Sequence, residues 1–192
     1  MQSAFQHDHR MQTSAALFPT LLNMAWHDLP GSVRAMHGSA PCIVARGEAD
    51  VQGDGNVIAR ALRSLLQLPS PGPAQALEVC IERDGQHERW TRRFARGQMQ
   101  STLSANASAT QLLEKLGPVT LRFTLCPDAH GVAWHLNGAH VLGLPVPRRW
   151  LGTVLSHSGE REGRYAFTID TQLPWIGRLV AYRGWLEIVA DD

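Results

Sequence analysis

The spacing of apolar residues changes period repeatedly along this chain, and each change marks an element. Within residues 16–37, Leu17, Leu21, Leu22, Ala25 and Trp26 fall at helical spacing, with Pro19 near the first turn where a missing N–H costs little. Leu29-Pro30-Gly31 interrupts the pattern, and Val33 and Met36 fit a short continuation before Gly38. Ile43, Ala45, Gly47, Ala49 and Val51 then alternate with Val44, Arg46, Glu48 and Asp50, the period of a strand with one face in and one out. After Gly53-Asp54-Gly55-Asn56 comes the clearest helix. Val57, Ile58, Ala61, Leu62, Leu65 and Leu66 form its apolar stripe, Arg60, Arg63, Ser64 and Gln67 its polar face, and Asn56 its cap. Such a stripe is expected to pack on a sheet. Pro69, Pro71 and Pro73 make the connection that follows stiff.

Beyond this linker the pattern is largely that of strands. Residues 77–83 and 88–94 flank Asp84-Gly85, a two-residue hairpin signal that pairs Val79 with Trp90 and Leu77 with Arg92. One face of this hairpin reads Leu77, Val79, Ile81, Glu88, Trp90, Arg92, Phe94: apolar, with two charges near each other. Residues 98–105 form a further strand, and Ser108, Gln111 and Gly117 match the cap and stop of a short helix over 108–116. Val119, Leu121, Phe123 and Leu125 alternate cleanly. Asn137-Gly138 predicts a tight hairpin in which His135 pairs with His140 and Trp134 with Val141. Leu144-Pro145-Val146-Pro147 suits only an edge or crossover. A hairpin over residues 153–169 and a last strand over 179–189 complete the set, the last closing the sheet. Alternation there puts Tyr182 and Arg183 on opposite faces, with Gly184 the mark of a bulge. The fold class is α+β: a strongly curved antiparallel sheet or incomplete barrel of roughly eight or nine strands with two or three packed helices.

Composition narrows the picture modestly. The 192 residues suit one globular domain, read as residues 15–192 behind a mobile polar tail, residues 1–14. A formal net charge of +1 offers no bulk attraction to nucleic acid or an anionic surface. Cys42, Cys80 and Cys126 are scattered and odd in number, which argues against a disulfide framework and for a reducing, cytoplasmic setting. No apolar run approaches the roughly 20 residues of a membrane-spanning helix.

Several stretches together resemble one family. Leu17-Phe18-Pro19-Thr20-Leu21-Leu22 with Ala25-Trp26, Leu29-Pro30, Val33-Arg34 and His37-Gly38 forms the opening. Trp90-Thr91-Arg92-Arg93-Phe94, Glu114-Lys115-Leu116-Gly117-Pro118 and Leu142-Gly143-Leu144-Pro145-Val146-Pro147 follow in order. The closing stretch is Leu173-Pro174-Trp175-Ile176-Gly177-Arg178-Leu179-Val180-Ala181-Tyr182-Arg183-Gly184-Trp185-Leu186. In order and spacing these are similar to the bacterial domain-of-unknown-function family 4166, over about residues 17–186. The resemblance carries no activity. It implies a link to metabolic enzymes, since members are sometimes joined to saccharopine-dehydrogenase-like domains, and so a dehydrogenase-like partner. No GxGxxG follows a strand here, so no cofactor is expected on this chain.

Chemistry-bearing residues are sparse. His135 and His140, opposite on the predicted hairpin, could share a metal, but no carboxylate or cysteine is fixed beside them, and no metal is expected. His7 and His9 lie in the tail. Ser156-His157-Ser158 is a run of neighbours, and Gly53-Asp54-Gly55-Asn56 lacks the GxxxxGK of a phosphate loop. Arg89, Arg92, Arg93 and Arg96 cluster, yet Glu78, Glu82 and Glu88 offset them, so nucleic acid is not an expected partner. What remains is the inner face of the sheet. Glu88 and Arg92 either pair with each other at its rim or, with Trp90, Trp134 and Tyr182, line an apolar cavity in which Arg92 anchors a carboxylate or phosphate. That reading makes the chain a non-catalytic binding module for an apolar or amphipathic small molecule, a lipid included. The alternatives are an enzyme in the same cavity, with Glu88 or Glu114 as acid or base, and an interaction domain that supports a metabolic enzyme.

Overall fold

Eleven strands form one antiparallel sheet that curls until it meets itself. The computed structural model describes residues 16–189, so the expected tail with His7 and His9 lies outside them. The chain enters through helix α1 (Leu17–Leu22), a 3-10 turn (Asn23–Asp28) and helix α2 (Gly31–His37). Strand β1 (Cys42–Gln52) leads to helix α3 (Val57–Leu65), and then a meander begins: β2 (Gly72–Asp84), β3 (His87–Phe94), β4 (Gly97–Ala105), β5 (Leu112–Leu116), β6 (Val119–Asp128) and β7 (Gly131–Val141). A two-residue strand β8 (Leu144–Pro145) and a 3-10 turn (Arg148–Trp150) precede β9 (Thr153–Arg161), β10 (Arg164–Leu173) and β11 (Gly177–Ile188). Because β6 pairs with β7, β7 with β9 and β11 with β1, ten strands close into a barrel, and β8 is appended to the outer part of β7. The expected incomplete barrel of fewer strands is thus corrected to a closed one. The pairing of β1 with β11 joins residues far apart in sequence, which local alternation cannot reveal.

The seam between β1 and β11 is unusually close. Gly47 faces Leu186 and Gly184 faces Ala49 across it. A Cβ on Gly47 would lie 2.0 Å from the Trp185 carbonyl oxygen, and one on Gly184 would lie 1.9 Å from that of Glu48. The register runs unbroken through both positions, so Gly184 permits backbone approach and is not the bulge expected.

Two hairpin signals fall otherwise than expected. The turn after β2 is Gly85-Gln86, with Gly85 at φ 61°, so Ile81 pairs with Trp90 and Val79 with Arg92. The slip is two residues, an even number, and every side chain keeps its face. Asn137-Gly138 makes no turn at all: β7 passes straight through it with a bulge opposite Arg122 and Phe123, and the Arg122 guanidinium fills the space where a Gly138 Cβ would stand. His135 and His140 therefore sit on one strand, roughly 16 Å apart along it, and share nothing. The expected helix over 108–116 is corrected to strand β5 preceded by a turn in which Asn106 Oδ1 accepts from the amides of Thr110 and Gln111. Side-chain capping there serves a loop, because five residues of β5 complete the ladder between β4 and β6.

The two ends of the barrel differ. Strand directions place α1, α2 and the β2–β3, β6–β7 and β9–β10 turns at one end, and α3 with the β3–β4, β5–β6 and β10–β11 turns at the other. The first end is plugged: Leu17, Phe18, Val33, Met36 and His37 are fully buried. Helix α2 has only seven residues and no cap of its own, and the barrel supplies both. Glu160 accepts from the Ser32 amide at 3.1 Å and hydroxyl at 2.7 Å at its start, while Arg83 donates to the Met36 carbonyl at 2.7 Å at its end. These bonds hold the Glu160 carboxyl below its usual range. Outward strand positions carry Arg46, Glu48, Glu82, Arg89 and Arg93, all exposed, the reverse of the apolar band that lipid demands of a membrane barrel. Among the described residues no helix is long and apolar enough to cross a membrane.

Gly184→Ala should lower stability in urea titrations by ~3 kcal/mol or more, since backbone would have to move against backbone. Gly31→Ala, where a Cβ meets nothing within 4 Å, should instead be neutral or stabilising by about 0.5 kcal/mol. Equal midpoints for the two variants would show that the seam does not need its glycines.

Candidate functional site

Inward side chains from around the barrel enclose a cavity of about 320 Å³, room for roughly ten waters at about 30 Å³ each. Its walls are mostly aliphatic and aromatic: Val79, Met99, Leu121, Phe123, Phe167 and Ile169 among others. Leu62 and Leu66 of α3 close part of one end. Trp150 both lines the cavity and is 53% exposed, so it stands at the mouth.

Polar groups inside are few and already organised. Arg92, on the inward face of β3, donates from one terminal nitrogen to Ser101 Oγ at 2.9 Å and from the other to Glu114 Oε1 at 3.3 Å. Its guanidinium lies 4.8 Å from the centre of the Trp90 ring. Tyr182, on β11, lies beside this pair, and burial pushes its phenol pKa above the ordinary value. Arg92 thus keeps spare N–H donors in a cavity that Tyr182 also lines, but its charge is already balanced by Glu114.

Below the cavity lies a second network. Glu88 is completely buried, accepting from Arg83 Nε at 3.0 Å and from Trp90 Nε1 at 2.8 Å. Desolvation raises its pKa, and Arg83 and Trp90 only partly counter that. His37 sits among the rings of Phe18, Trp90, Trp134 and Tyr165. Its Nε2 is 3.1 Å from the Tyr165 hydroxyl, which in turn donates to Ser158 Oγ at 2.8 Å. Burial, with the nearby charges of Arg83 and Arg92, pushes the imidazole pKa down to about 3. Burial also pushes Tyr165 up to about 12. His37 Nδ1 and Trp134 Nε1 are buried without a partner among the described residues.

A family model described as "Domain of unknown function (DUF4166)" matches residues 29–186, from the start of α2 to the inward Leu186 of the closing strand. The chain belongs to the DUF4166 family. No curated protein matches its sequence.

In this DUF4166 barrel, Trp90, Arg92, Trp134 and Tyr182 all line the cavity, and Arg183 points outward, exposed. Face parity alone brought those four together. Glu88 shares their face but lies deeper, outside the cavity wall. The expected Glu88–Arg92 pair does not form: Arg83 takes Glu88, and Glu114, two strands away, takes Arg92. The reason is register, since Arg92 stands opposite Met99 and only a long side chain can reach across β4 to β5. Ser101 and Ser158 carry no sequence signal beyond inward parity, and His37 closes a short helix like any terminal histidine. Ser156 and Ser158 face the cavity while His157 turns outward to Asp128 at 3.2 Å, so this run assembles no nucleophile and base. Asn56 caps α3 by accepting from the Ala59 amide at 2.8 Å, and Asp54 accepts from the Arg178 amide, so this loop serves structure. Arg93 and Arg46 pair with Glu78, as the offsetting charges suggested, and the three cysteines are free. Among the described residues no cluster of metal-binding side chains occurs.

His37 makes stability depend on pH. The folded state refuses a proton that the unfolded chain accepts below about 6.5, so its contribution is whole above that value and is lost as pH falls towards about 3. Between pH 6.5 and 5 the loss should be roughly 2 kcal/mol. Glu88, with its raised pKa, acts in the opposite sense and softens the fall. In urea titrations at several pH values, His37→Gln should flatten the curve relative to wild type; parallel curves would remove His37 from this role.

Proposed function

We propose that this DUF4166 chain is a non-catalytic binding module that holds an apolar or amphipathic small molecule inside the barrel, tail among the aliphatic walls and head at Arg92. The observation that carries the reading is a largely apolar cavity inside the barrel, open at Trp150, with the Arg92–Glu114 pair and the Tyr182 side chain in its wall. A pocket of this kind gains affinity from apolar burial and orientation from a few placed polar groups.

Arg92 offers hydrogen bonds more readily than net charge. A carboxylate or phosphate head would have to share it with Glu114, at a cost in repulsion, whereas a hydroxyl or carbonyl can take the spare N–H groups and the Tyr182 hydroxyl without disturbing the pair. The head is therefore an uncharged oxygen function on a long hydrocarbon. For the enzyme alternative, Glu114 reaches the cavity and Glu88 does not.

A fluorescent hydrophobic probe should bind the purified chain, and a long-chain alcohol should displace it at lower concentration than the fatty acid of equal length at neutral pH. Ile169→Trp, which fills the cavity from its wall, should reduce probe binding at least tenfold while leaving the unfolding free energy from urea titration within about 1 kcal/mol of wild type. No probe binding by wild type, together with native mass spectra free of any adduct, would defeat the reading. Stronger displacement by the fatty acid would move the head group back to a carboxylate.

A further inference from the structure

We infer that the open end of the barrel docks on an anionic lipid bilayer, with the cavity mouth facing the membrane. This deepens the binding reading, and rests on it only for what passes through the mouth.

The first observation is that α3 is turned outward. Its sequence stripe was expected to pack on the sheet, yet Val57, Ile58 and Leu65 are exposed, Leu65 by 67%. The residues it buries against β11 are instead Ala59 and Arg63, and Arg63 donates to the carbonyls of Leu179 and Asp54 at 3.0 and 2.9 Å. An arginine clamped to backbone fixes the helix so that Leu62 and Leu66 turn to the cavity while Val57, Ile58 and Leu65 stand out in solvent. The second observation is that other apolar side chains stand out at the same end. Trp175, in the β10–β11 turn, is 84% exposed, and Leu142, after β7, is 81% exposed. Leu144 and the mouth residue Trp150 are exposed beside them in the chain. Asn56 Nδ2 donates to the Ile176 carbonyl at 2.8 Å, joining the start of α3 to the turn that carries Trp175. Apolar surface at this density marks an interaction site.

Charge selects the partner. Arg60, Arg96, Arg148 and Arg149 are exposed at this end and make no ion pair among the described residues. The acids there are engaged: Asp170 with Arg178, Asp54 with the Arg178 amide, Asp50 with the Ala74 amide. The net charge of +1 for the whole chain hides this basic end. Leucines, isoleucine and tryptophans ringed by free arginines match the apolar interface and anionic headgroups of a bilayer. Because Trp150 belongs both to this surface and to the cavity wall, a docked barrel would open directly onto lipid.

The test is flotation of the full chain with vesicles of phosphatidylcholine alone and of phosphatidylcholine mixed with phosphatidylglycerol. Wild type should float with the mixed vesicles, less at high salt, and poorly with phosphatidylcholine alone. Neutralising two arginines by Arg148→Gln with Arg149→Gln should weaken partition about 30-fold, at roughly fivefold per charge. Leu65→Asp with Trp175→Asp, both at exposed positions, should lower it tenfold or more with thermal melts unchanged. Both double variants should still bind the fluorescent probe, which separates docking from cavity binding, and Ile169→Trp should lose the probe while still floating. Failure of wild type to float with anionic vesicles, or flotation untouched by either double variant, would overturn the inference. So would self-association through these residues in place of vesicle binding.

Discussion

The seam between β1 and β11 is the constraint on which the molecule depends. Without it the sheet has two long open edges, and the inward side chains of β1 and β11, Ile43, Ala45, Tyr182 and Leu186 among them, lose their enclosure. Closure asks the strands to approach more tightly than side chains allow, and Gly47 and Gly184 remove the two Cβ atoms that would prevent it. The cavity is a consequence: ten strands make a ring wide enough that the inner side chains do not fill it. Closure also brings Tyr182 of β11 into the same cavity as Arg92 of β3, whereas the Arg92–Glu114 pair spans only β4 within the meander and does not depend on the seam.

Much of the site was legible before the fold was. Alternation assigns a face to every strand residue, and a face survives register slips of two, so the inward parity of Trp90, Arg92, Trp134 and Tyr182 holds although the β2–β3 register differs by two from the one an Asp84-Gly85 turn implies. Partners are another matter. Glu88 and Arg92 look like a natural pair along one strand, but each finds a better-placed group on a different element, Arg83 across the β2–β3 ladder and Glu114 two strands away. Strand number and closure were also hidden. Asn137-Gly138 has the composition of a turn and the function of a bulge, because the Arg122 side chain occupies the space over Gly138. Helix α3 follows its periodicity only in part: Leu62 and Leu66 face the cavity, but the bonds of Arg63 to the Leu179 and Asp54 carbonyls hold the helix with Val57, Ile58 and Leu65 in solvent.

The two ends of the barrel divide stability from access. At the plugged end, charges and rings are buried under α1 and α2, with Arg83 serving at once the Glu88 carboxylate and the last carbonyls of the plug. Removing one member of such a network leaves another charge buried without a partner, which is costly, so this end is cooperative and stiff. At the mouth, by contrast, α3 is tied to the barrel by Arg63 and Asn56 and leaves Val57, Ile58 and Leu65 in solvent. The layer formed by Trp90, Glu88 and His37 carries no unpaired charge, since His37 is held neutral and Glu88 is balanced by Arg83. With both interior ion pairs internally compensated, the barrel lines its cavity with dipoles and paired charges, and the arginines that make no ion pair among the described residues, Arg60, Arg96, Arg148 and Arg149, stand outside, at the mouth end.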